Sequence, residues 1–578
     1  MVLEERIGEI MERKAKKIVK GAVFAAVLIF MIWSGIFDVV KKAATESGNI
    51  PELWIGLSGN TIDEINNGSK FTEYTGITVS GANIRTEITA TIRGRGNSTW
   101  KGVKKPYQLE FNGSVDLLGL GSSSKWVLLS NEYDRTLLRN DITFNLARDM
   151  GERFSPMGKH IDLYVDGEYQ GNYYILPKIS LDKSSVDLRG NDAVLMEIDC
   201  YIKDGSDLQN DAGTNDMEET HSDEPFFVSE IYGTKIALKD SNMKASETEN
   251  VKSFAEAYNC FERDASTGNW EAVKNDIDID SFVDYYLLSE YAENIDSTCT
   301  SFYLYRGGRD EKIAAGPIWD HDAAYGNNTV GTTNLYNNPR KLWVYNANYT
   351  DDREWVNDTH ILTDLMDMPG FRAEVELKYK EVFQYAIDKE IEALPKKAEE
   401  LRKSAEKDQK LLFDKYNSVL NSDIAGTNNI VFEDYNEELE SLIRKLTQRK
   451  ALMDKIFLTR VTPDDGEYAL DLGYAKNFKL MQLPNGFFVI EDVMTGKVLT
   501  GVEYEKRDYG DALITEEAWN GSEHQQWMFF DAGNDKVNLL LKYNNLFLSR
   551  GKEDGLVLSS YDIKETGVEM FSLGKIER

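Results

Sequence analysis

KIAAGPIWDHDAAYG, residues 312–326, delivers two aspartates, Asp320 and Asp322, to one place after a run of small and apolar residues. In an extended segment, residues two apart point to the same side. Both carboxylates would then reach one hard cation, as in sites where Mg²⁺ or Mn²⁺ also keeps water and phosphate oxygens. A surface turn with solvated aspartates is the alternative, because so short a motif does not decide alone. The rest of the chain distinguishes the two.

Length and composition are those of a large acidic protein. The 578 residues exceed what one core accommodates, so we expect two or three domains. Hydrophobic residues make up 41% and aromatic residues 11%, which favours globular folding. The net charge of −32 argues against a nucleic-acid partner, because clustered lysine and arginine bind a phosphate backbone. Three widely spaced cysteines, Cys200, Cys260 and Cys299, predict neither a disulfide framework nor a cysteine zinc site.

The N-terminal segment has the pattern of a membrane anchor. Residues 21–37 carry no charge and the apolar character extends to Val40, so we predict a transmembrane helix over residues 21–40. Basic residues in the preceding segment place residues 1–20 in the cytoplasm by the positive-inside rule. A linker, residues 41–49, would then lead to an extracytoplasmic chain on the cell membrane. A cleaved signal peptide and a buried core helix are the alternatives.

Short alternating apolar runs broken by glycine and asparagine predict strands from Ile50 to about Phe111. Within them, a strand that begins at Ile88 ends in the sequence RGRGNSTW, here called the glycine-rich turn (residues 93–100), and a second strand returns over residues 104–111. Backbone amides freed by glycine, together with a lysine on the returning strand, are groups that hold phosphates. On its own, a Gly-x-Gly turn in a hairpin is usually only a turn.

The middle of the chain changes from strands to helices. A helix is predicted to begin after an N-cap at Asp134 and to stop at Gly151. The acidic residues 203–224 predict a solvated loop. Helical spacing of apolar residues then dominates residues 247–294 and 361–458. The sequence therefore predicts a β-rich half followed by an α-rich half.

Five motifs occur in order along this region. They are RGRGNSTW with KKPY (93–107), the W-x-LL-x-N-x-x-DRTLLRN block (126–140), VDGEYQGNYY (165–174), IDIDSFVDYYLLSEYAENID (277–296) and GPIWDHDAAYGN (316–327). In this order they resemble the CotH kinase family, atypical protein kinases related to spore coat protein H. The resemblance covers residues 50–460. It implies an α+β core of two lobes, a β-rich N-lobe and an α-rich C-lobe, that transfers a phosphoryl group from ATP to protein hydroxyls.

The resemblance also implies roles for individual residues. Asp296 stands where the family places its catalytic-loop aspartate. Asp320 stands at the position of the metal aspartate, with Asp322 as its helper, for Mg²⁺ or Mn²⁺. The residues that would contact ATP belong to the glycine-rich turn and the strand after it: Arg93, Arg95, Asn97, Ser98, and Lys104 or, in the other register, Lys105.

Two positions depart from the family pattern. Ser301 occurs five residues after the catalytic-loop aspartate, where a protein kinase offers a metal-binding asparagine. Lys178 stands where many relatives carry glutamate. Arg95, Asp134 and Arg139 fit either a functional role or an ion-pair network that fixes the predicted helix to the glycine-rich turn.

Residues 464–578 return to short strands and turns in imperfect repeats, which predicts one small all-β domain. The pattern Gln525-x-Trp527 and the preceding TGKVL (495–499) resemble the ricin-type β-trefoil lectins. The resemblance implies that Trp527 packs in the core of a trefoil-like domain and that a glycan is a candidate ligand.

We therefore expect a membrane-anchored atypical kinase that uses ATP with Mg²⁺ or Mn²⁺ and phosphorylates serine or threonine hydroxyls of surface or coat proteins. The alternative is a non-catalytic cell-surface module on a kinase-like scaffold that binds carbohydrate or protein. The scarcity of ATP outside the cytoplasm and Ser301 favour this alternative. A third expectation, transfer of a nucleotidyl unit, uses the same lysine and aspartates with ATP turned around.

Overall fold

The computed structural model describes the main body of the chain. The described residues are 50–200, 202, 224–242, 247–294, 296–327, 342, 344–345, 360–416, 435–472, 475–502, 513–550, 556–559 and 570–576. The predicted membrane helix over residues 21–40, its flanking segments, and most of the predicted acidic loop lie outside them. None of the helices within the described residues combines the length and apolar character needed to cross a bilayer.

A closed barrel of seven strands occupies the first part of the described chain. The strands are β1 (Glu52–Gly56), β2 (Tyr74–Gly81), β3 (Ile84–Gly94), β4 (Tyr107–Asp116), β5 (Ser122–Leu129), β6 (Lys159–Val165) and β7 (Glu168–Pro177). Their order is β1-β2-β3-β4-β5-β7-β6, and the parallel pairing of β6 with β1 closes the barrel. Two short helices, α1 (Ile62–Asn67) and α2 (Ser98–Lys101), lie in its connections.

Alternation along the strands gives the barrel an inner and an outer face. Ile92 of β3, Leu109 of β4 and Trp126 of β5 are paired across the strands and are buried in the barrel core. Their neighbours along each strand point outward. Val127 is one of these, and it belongs to the core that the barrel shares with the helices. The outer face near β3, β4, β5 and β7 is therefore turned toward the rest of the molecule.

A five-stranded sheet and four helices form the next layer. The strands are β8 (Val194–Ile198), β9 (Phe226–Val228), β10 (Lys235–Ser241), β11 (Phe302–Arg306) and β12 (Ala314–Ala315), in the order β12-β11-β8-β10-β9. The helices are α3 (Arg139–Met150), α4 (Glu247–Ser266), α5 (Trp270–Asp276) and α6 (Ile279–Ala292). The predicted stop of the first of these helices is confirmed, because Gly151 takes a left-handed φ of 93° and its amide reaches back to the last turn.

A helical region follows. It consists of α7 (Ile361–Asp367), α8 (Pro369–Lys378), a π-helical segment (Tyr379–Phe383), α9 (Gln384–Tyr416) and α10 (Tyr435–Leu458). The spacing of buried residues explains the helices: Leu439, Leu442 and Leu446 of α10 recur every three or four positions and face the core. The chain is thus a mixed α+β protein in which the β-rich part precedes the α-rich part, as predicted.

The C-terminal part is built from strands. They are β13 (Arg460–Val461), β14 (Gly466–Asp471), β15 (Ala475–Gln482), β16 (Phe488–Asp492), β17 (Val498–Val502), β18 (Leu513–Glu517), β19 (Trp527–Gly533), β20 (Lys536–Leu541), β21 (Phe547–Arg550), β22 (Leu556–Ser559) and β23 (Phe571–Lys575). A 3₁₀ turn, Glu523–Gln525, precedes β19. Trp527 is buried, and its indole Nε1 donates a hydrogen bond to the Leu499 carbonyl at 2.9 Å. The trefoil assignment of this sheet stays a prediction.

One hydrophobic core joins the barrel, the helical region and the C-terminal sheet. Val127 and Leu176 from the outer face of the barrel belong to the same buried cluster as Phe487, Phe530 and Phe547 from the C-terminal sheet. The C-terminal sheet therefore packs directly against the helical region.

Cys200 and Cys299 form a disulfide, so the expectation drawn from the cysteine count is wrong. The two residues are 99 positions apart in sequence, but their Cα atoms are 5.3 Å apart. The cause is the pairing of β8 with β11, which sets Ile198 opposite Phe302 and brings the adjoining segments together. Cysteine spacing does not reveal such a pairing. Cys260 is free and exposed.

Candidate active site

Asp320 and Asp322 lie in a turn and not in an extended strand. The backbone of Asp320 is left-handed, with φ of 58°, so the expected strand-like alignment of the two side chains is wrong. The carboxylates interact nonetheless. Burial raises the pKa of Asp322 well above its ordinary value, and Asp320, Asp134 and Asp296 raise it further. The segment Asp320–Asp322, here called the acidic turn, therefore sits in a concentration of negative charge.

Side chains of helix α3 bind backbone groups in the acidic turn and just after it. The amide of His321 donates to Asn140 Oδ1 at 2.8 Å, and Arg139 Nε donates to the Ala324 carbonyl at 3.1 Å. Arg139 also forms a buried ion pair with Asp134, whose Oδ2 accepts the Arg139 amide at 2.8 Å. The predicted N-cap at Asp134 is wrong, because α3 begins at Arg139 with Leu138 at the N-cap position. The Asp134–Arg139 network thus fixes α3 to the acidic turn, whereas the sequence suggested the glycine-rich turn.

His321, between the two aspartates, is buried and neutral. Burial lowers its pKa to about 3. Its Nε2 lies 3.3 Å from the side-chain amide of Asn294, which can donate to it. The ring therefore connects the acidic turn to the residues that precede Asp296.

Asp296 follows α6 in a tightly bonded loop. Its amide donates to Asn294 Oδ1 at 3.2 Å, and its carbonyl accepts hydrogen bonds from the amides of Cys299 and Thr300, both at 2.9 Å. The disulfide then fastens Cys299 to Cys200 at the end of β8. The loop holds its carboxylate near enough to Asp322 to raise the pKa of that residue.

Arg95 of the glycine-rich turn lies close to the acidic turn. Burial lowers the pKa of Arg95, while the negative charge of Asp320 raises it. In return, Arg95 opposes the rise that burial causes in the pKa of Asp320. The Arg95 guanidinium also lies 5.6 Å from the centroid of the Trp319 ring. Arg93 Nη2 donates to Gln108 Oε1 at 3.0 Å, on the outer face of the barrel.

Asn97 binds within the glycine-rich turn and its surroundings. Asn97 Oδ1 accepts a hydrogen bond from Lys70 Nζ at 2.9 Å, and the same ammonium donates to the Gly96 carbonyl at 2.9 Å. Ser98 begins α2. Gly96 has φ of 82°, and a Cβ there would lie 2.2 Å from Thr99 Oγ1, so the turn requires glycine at this position.

Lys104 and Lys105 make other contacts. Lys104 is buried and donates to Asp408 Oδ1 and to the Asn172 carbonyl, each at 2.6 Å. The Lys105 ammonium donates to the Trp100 carbonyl and lies 5.2 Å from the Trp100 ring centroid. The structure therefore brings together Arg95, Asp296 and the acidic turn, and places the two candidate lysines in separate interactions.

Sequence reasoning missed two members of this region. Lys178, directly after β7, is close enough to Arg93 and Arg95 for their charges to lower its pKa. Glu197 of β8 forms an ion pair with Lys239 at 2.7 Å, and its charge acts on Arg95. A charged residue inside the apolar run of β8 was the available signal for Glu197. For Lys178 the sequence shows only a departure from the family pattern.

The acidic turn fits a divalent cation. Mg²⁺ is usually held by one or two carboxylates together with phosphate oxygens and water. Burial raises the pKa of both Asp320 and Asp322, and neighbouring carboxylates raise that of Asp322 further, so a bound cation would favour the ionised forms. Within the described ranges no three His, Cys, Asp or Glu side chains form a metal-binding cluster. Asp320 and Asp322 would hold the cation jointly with the phosphates of a nucleotide.

Fold and site together define a mixed α+β protein in which a basic face of a small barrel meets an acidic turn and a fixed aspartate loop. The chain belongs to the CotH kinase protein family, whose model matches residues 92–453. The family resemblance read from the motifs is thereby confirmed over that range.

Other comparisons add little. A solved structure of the designed 3-fold symmetric protein ThreeFoil is 22% identical over 17% of this chain and 72% of that chain, with a TM-score of 0.15 that is too low to assign a fold. None of the curated proteins is significantly similar to the chain.

Proposed function

We propose that this protein is an ATP- and divalent-metal-dependent kinase of the CotH type, which phosphorylates serine or threonine hydroxyls of surface or coat proteins. The observation that carries the proposal is the meeting of Arg95 with Asp320, Asp322 and Asp296 in one site. Membership of the CotH kinase family supports a kinase-like function. In this proposal the barrel is the N-lobe and the sheet and helices that follow form the C-lobe.

Each residue has a role that phosphoryl transfer requires. The reaction depends mainly on positioning and on neutralisation of charge. Arg93 and Arg95 bind phosphate oxygens, and Asp320 and Asp322 hold Mg²⁺ or Mn²⁺, which supplies further charge neutralisation when bound. Asp296 accepts a hydrogen bond from the attacking hydroxyl and takes its proton as the new bond to the γ-phosphorus forms, while the bond from that phosphorus to the β,γ-bridging oxygen breaks and ADP leaves with the electron pair.

We also propose that residues 21–40 anchor the chain in the cell membrane with the bulk of it outside the cytoplasm. The Cys200–Cys299 disulfide supports this placement, because disulfides persist in oxidising compartments and are rare in the cytosol. The C-terminal sheet, over residues 464–578, is proposed to be a ricin-type β-trefoil-like domain that binds a glycan.

The test is a labelling assay on the full-length chain purified in a mild detergent. The parent, Asp320→Ala and Asp296→Ala are incubated with γ-labelled ATP and either Mg²⁺ or Mn²⁺. Asp187→Ala is the control, because Asp187 pairs with Arg189 on the exposed surface. We expect label on protein with the parent and the control, and a loss of roughly 100-fold or more in the two site variants. Absence of label together with absence of an ATP-induced thermal shift in the parent would contradict the kinase.

A non-catalytic binding protein on the same scaffold is the second candidate. Ser301 favours it, because a protein kinase offers a metal-binding asparagine at the corresponding position. An ATP-induced rise in melting temperature without any transfer of label, to the protein itself or to surface proteins, is the outcome that this candidate predicts.

A further inference from the structure

Basic side chains converge on the outer face of the barrel. Glu110 of β4 is paired with Lys125 of β5. Lys178 follows β7 directly, and its amide donates to the Lys125 carbonyl at 2.9 Å, so Lys178 lies beside Lys125 on the other side of β5. The inner face at this level is formed by Trp126, which is paired with Pro177. Because alternate residues share a face, Lys125 and Lys178 point away from the barrel core.

Arg93 lies on the same outer face two strands away. It is paired with Gln108, which is paired with Val127, whereas its neighbour Ile92 fills the barrel core. Arg95 follows two residues later and is turned toward Asp320. Arg93, Arg95, Lys125 and Lys178, here called the basic row, therefore occupy one side of the barrel, with the acidic turn opposite.

Lys178 is the member of the basic row with the least compensation. Lys125, Arg93 and Arg95 all repel its ammonium, and the attraction of Glu224 is weaker than each of these repulsions. Burial, followed by this repulsion, lowers its pKa to about 8. Within the described residues its ammonium makes no hydrogen bond and no ion pair. Lys125, by contrast, lies 3.6 Å from Glu110.

In the described part of the chain, the Lys104 ammonium, unlike that of Lys178, is paired with acceptor groups. Its ammonium donates to the Asp408 carboxylate and to the Asn172 carbonyl, each at 2.6 Å, and the side chain is almost completely buried. A phosphate contact by Lys104 would require breaking this buried pair, which is costly because Asp408 would lose its counter-charge.

We propose that Lys178 binds the phosphate groups of the nucleotide, the role that the family resemblance implies for Lys104 or Lys105. The proposal rests on the proposed function, since it names a contact in the same site. A triphosphate brings several negative charges to cations that otherwise repel one another. Arg95 links the basic row to the acidic turn, because it belongs to the row and its charge interacts with that of Asp320, the proposed metal aspartate.

The experiment measures equilibrium binding of Mg²⁺–ATP and of Mg²⁺–tripolyphosphate to the full-length chain. The variants are Lys178→Met, Lys178→Arg and, as a control lysine outside the basic row, Lys575→Met on the exposed surface of the C-terminal part. We expect Lys178→Met to weaken both ligands by about ten- to a hundredfold, the effect of one charged hydrogen bond. Lys178→Arg retains most of the affinity, and Lys575→Met changes it by less than about threefold. Unchanged melting temperatures without ligand establish that the variants are folded.

The outcomes separate this inference from the proposed function. Equal affinities of the parent and Lys178→Met overturn the inference and leave the kinase intact. Weaker ATP binding with unchanged tripolyphosphate binding also overturns it, because Lys178 would then contact the nucleoside. A parent that binds neither ligand contradicts the proposed function itself.

Discussion

Asp322 shares its surroundings with the carboxylates of Asp134, Asp296 and Asp320. After burial, these neighbours raise its pKa, so its ionised form lowers the stability of the folded protein at neutral pH. The stability that Asp322 contributes is present at low pH, where the group is protonated, and decreases as the pH rises. The protein thus tolerates a local cost that a bound cation would remove.

Replacing Asp322 with asparagine should stabilise the protein without metal and abolish its response to metal. The neutral amide removes the carboxylate repulsion, so we expect the melting temperature at pH 7.5 to rise by about 1–3 °C. The further rise on adding Mg²⁺ and ATP should disappear. Thermal scans with and without these ligands measure both effects, with Asp187→Asn as a surface control. A lower melting temperature without ligand would contradict this account of the acidic turn.

We expect Lys104→Met to lower the free energy of unfolding and to have no direct effect on nucleotide binding. It leaves the Asp408 carboxylate buried without its counter-ion, which costs about 3–5 kcal/mol of unfolding free energy. Denaturant unfolding measures the loss, and adding Asp408→Leu to Lys104→Met should restore most of it. A variant that keeps its stability but no longer binds ATP would identify Lys104 as the nucleotide lysine.

At the scale of elements, the segment that leads into the acidic turn rests on the end of α3. Glu152 Oε1 accepts the amide of Ile318 at 2.8 Å, and burial raises the pKa of Glu152 from 4.5 to about 8. The folded protein therefore keeps this carboxyl protonated over a pH range in which the unfolded chain has released the proton. The position of the acidic turn is linked in this way to a buried, neutral acid.

Glu152→Gln should make the protein less sensitive to alkaline pH. The stability from the protonated carboxyl is fully present below about pH 4.5 and is lost as the pH rises through about 8. Glutamine keeps an acceptor for Ile318 and cannot ionise, so the two proteins should have similar melting temperatures at pH 5. At pH 9 the variant should be more stable, by on the order of a few kcal/mol at most. If the melting temperatures of the parent and the variant changed equally with pH between pH 5 and 9, this role of Glu152 would be contradicted.

Elements that depend on local sequence could be predicted, and their contacts could not. The helix after Asp278 and its end before Asp296 follow from apolar spacing and capping. The turn at Asp320 escaped prediction because nothing in WDHD shows that its backbone becomes left-handed. The motifs suggested roles for Arg95 and Asp320, which stay proposals, but the interaction between the two residues depends on how the barrel packs.

At the scale of the whole molecule, the C-terminal sheet is tied to the helical region by charge as well as by apolar contact. Lys542 Nζ lies 2.6 Å from Asp367 Oδ2 at the end of α7 and 2.8 Å from Glu523 Oε1 in its own sheet. Because the core is shared, we expect calorimetry of the parent to give one cooperative transition for both parts.

Lys542→Met should weaken the attachment of the C-terminal sheet to the helical region. It leaves Asp367 and Glu523 without a shared cation, and we expect a loss of about 1–3 kcal/mol, since both acids are partly exposed. Lys575→Met, which removes an exposed pair with Asp464, should change little. Two resolved transitions in the parent would show instead that the two parts unfold independently.

At the scale of the whole molecule, the sequence does not show which residues far apart in the chain form ion pairs. Lys104 and its partner Asp408 are 304 positions apart, and no pattern at either residue indicates the other. The expected nucleotide role of Lys104 came from a motif, which records a residue's position in the chain and not its partner. No motif gave Lys178 a nucleotide role, and only the strand register sets it on the same face as Arg93 and Lys125.

Because Cys200 is bonded to Cys299, the polypeptide between them is a covalently closed loop. A protease that cuts this loop once leaves both fragments attached, so Asp296 stays linked to the end of β8. Such nicked protein would run as a single band on a non-reducing gel and as two bands after treatment with a thiol. A single cut within this loop would therefore leave both halves of the site in one covalently linked molecule.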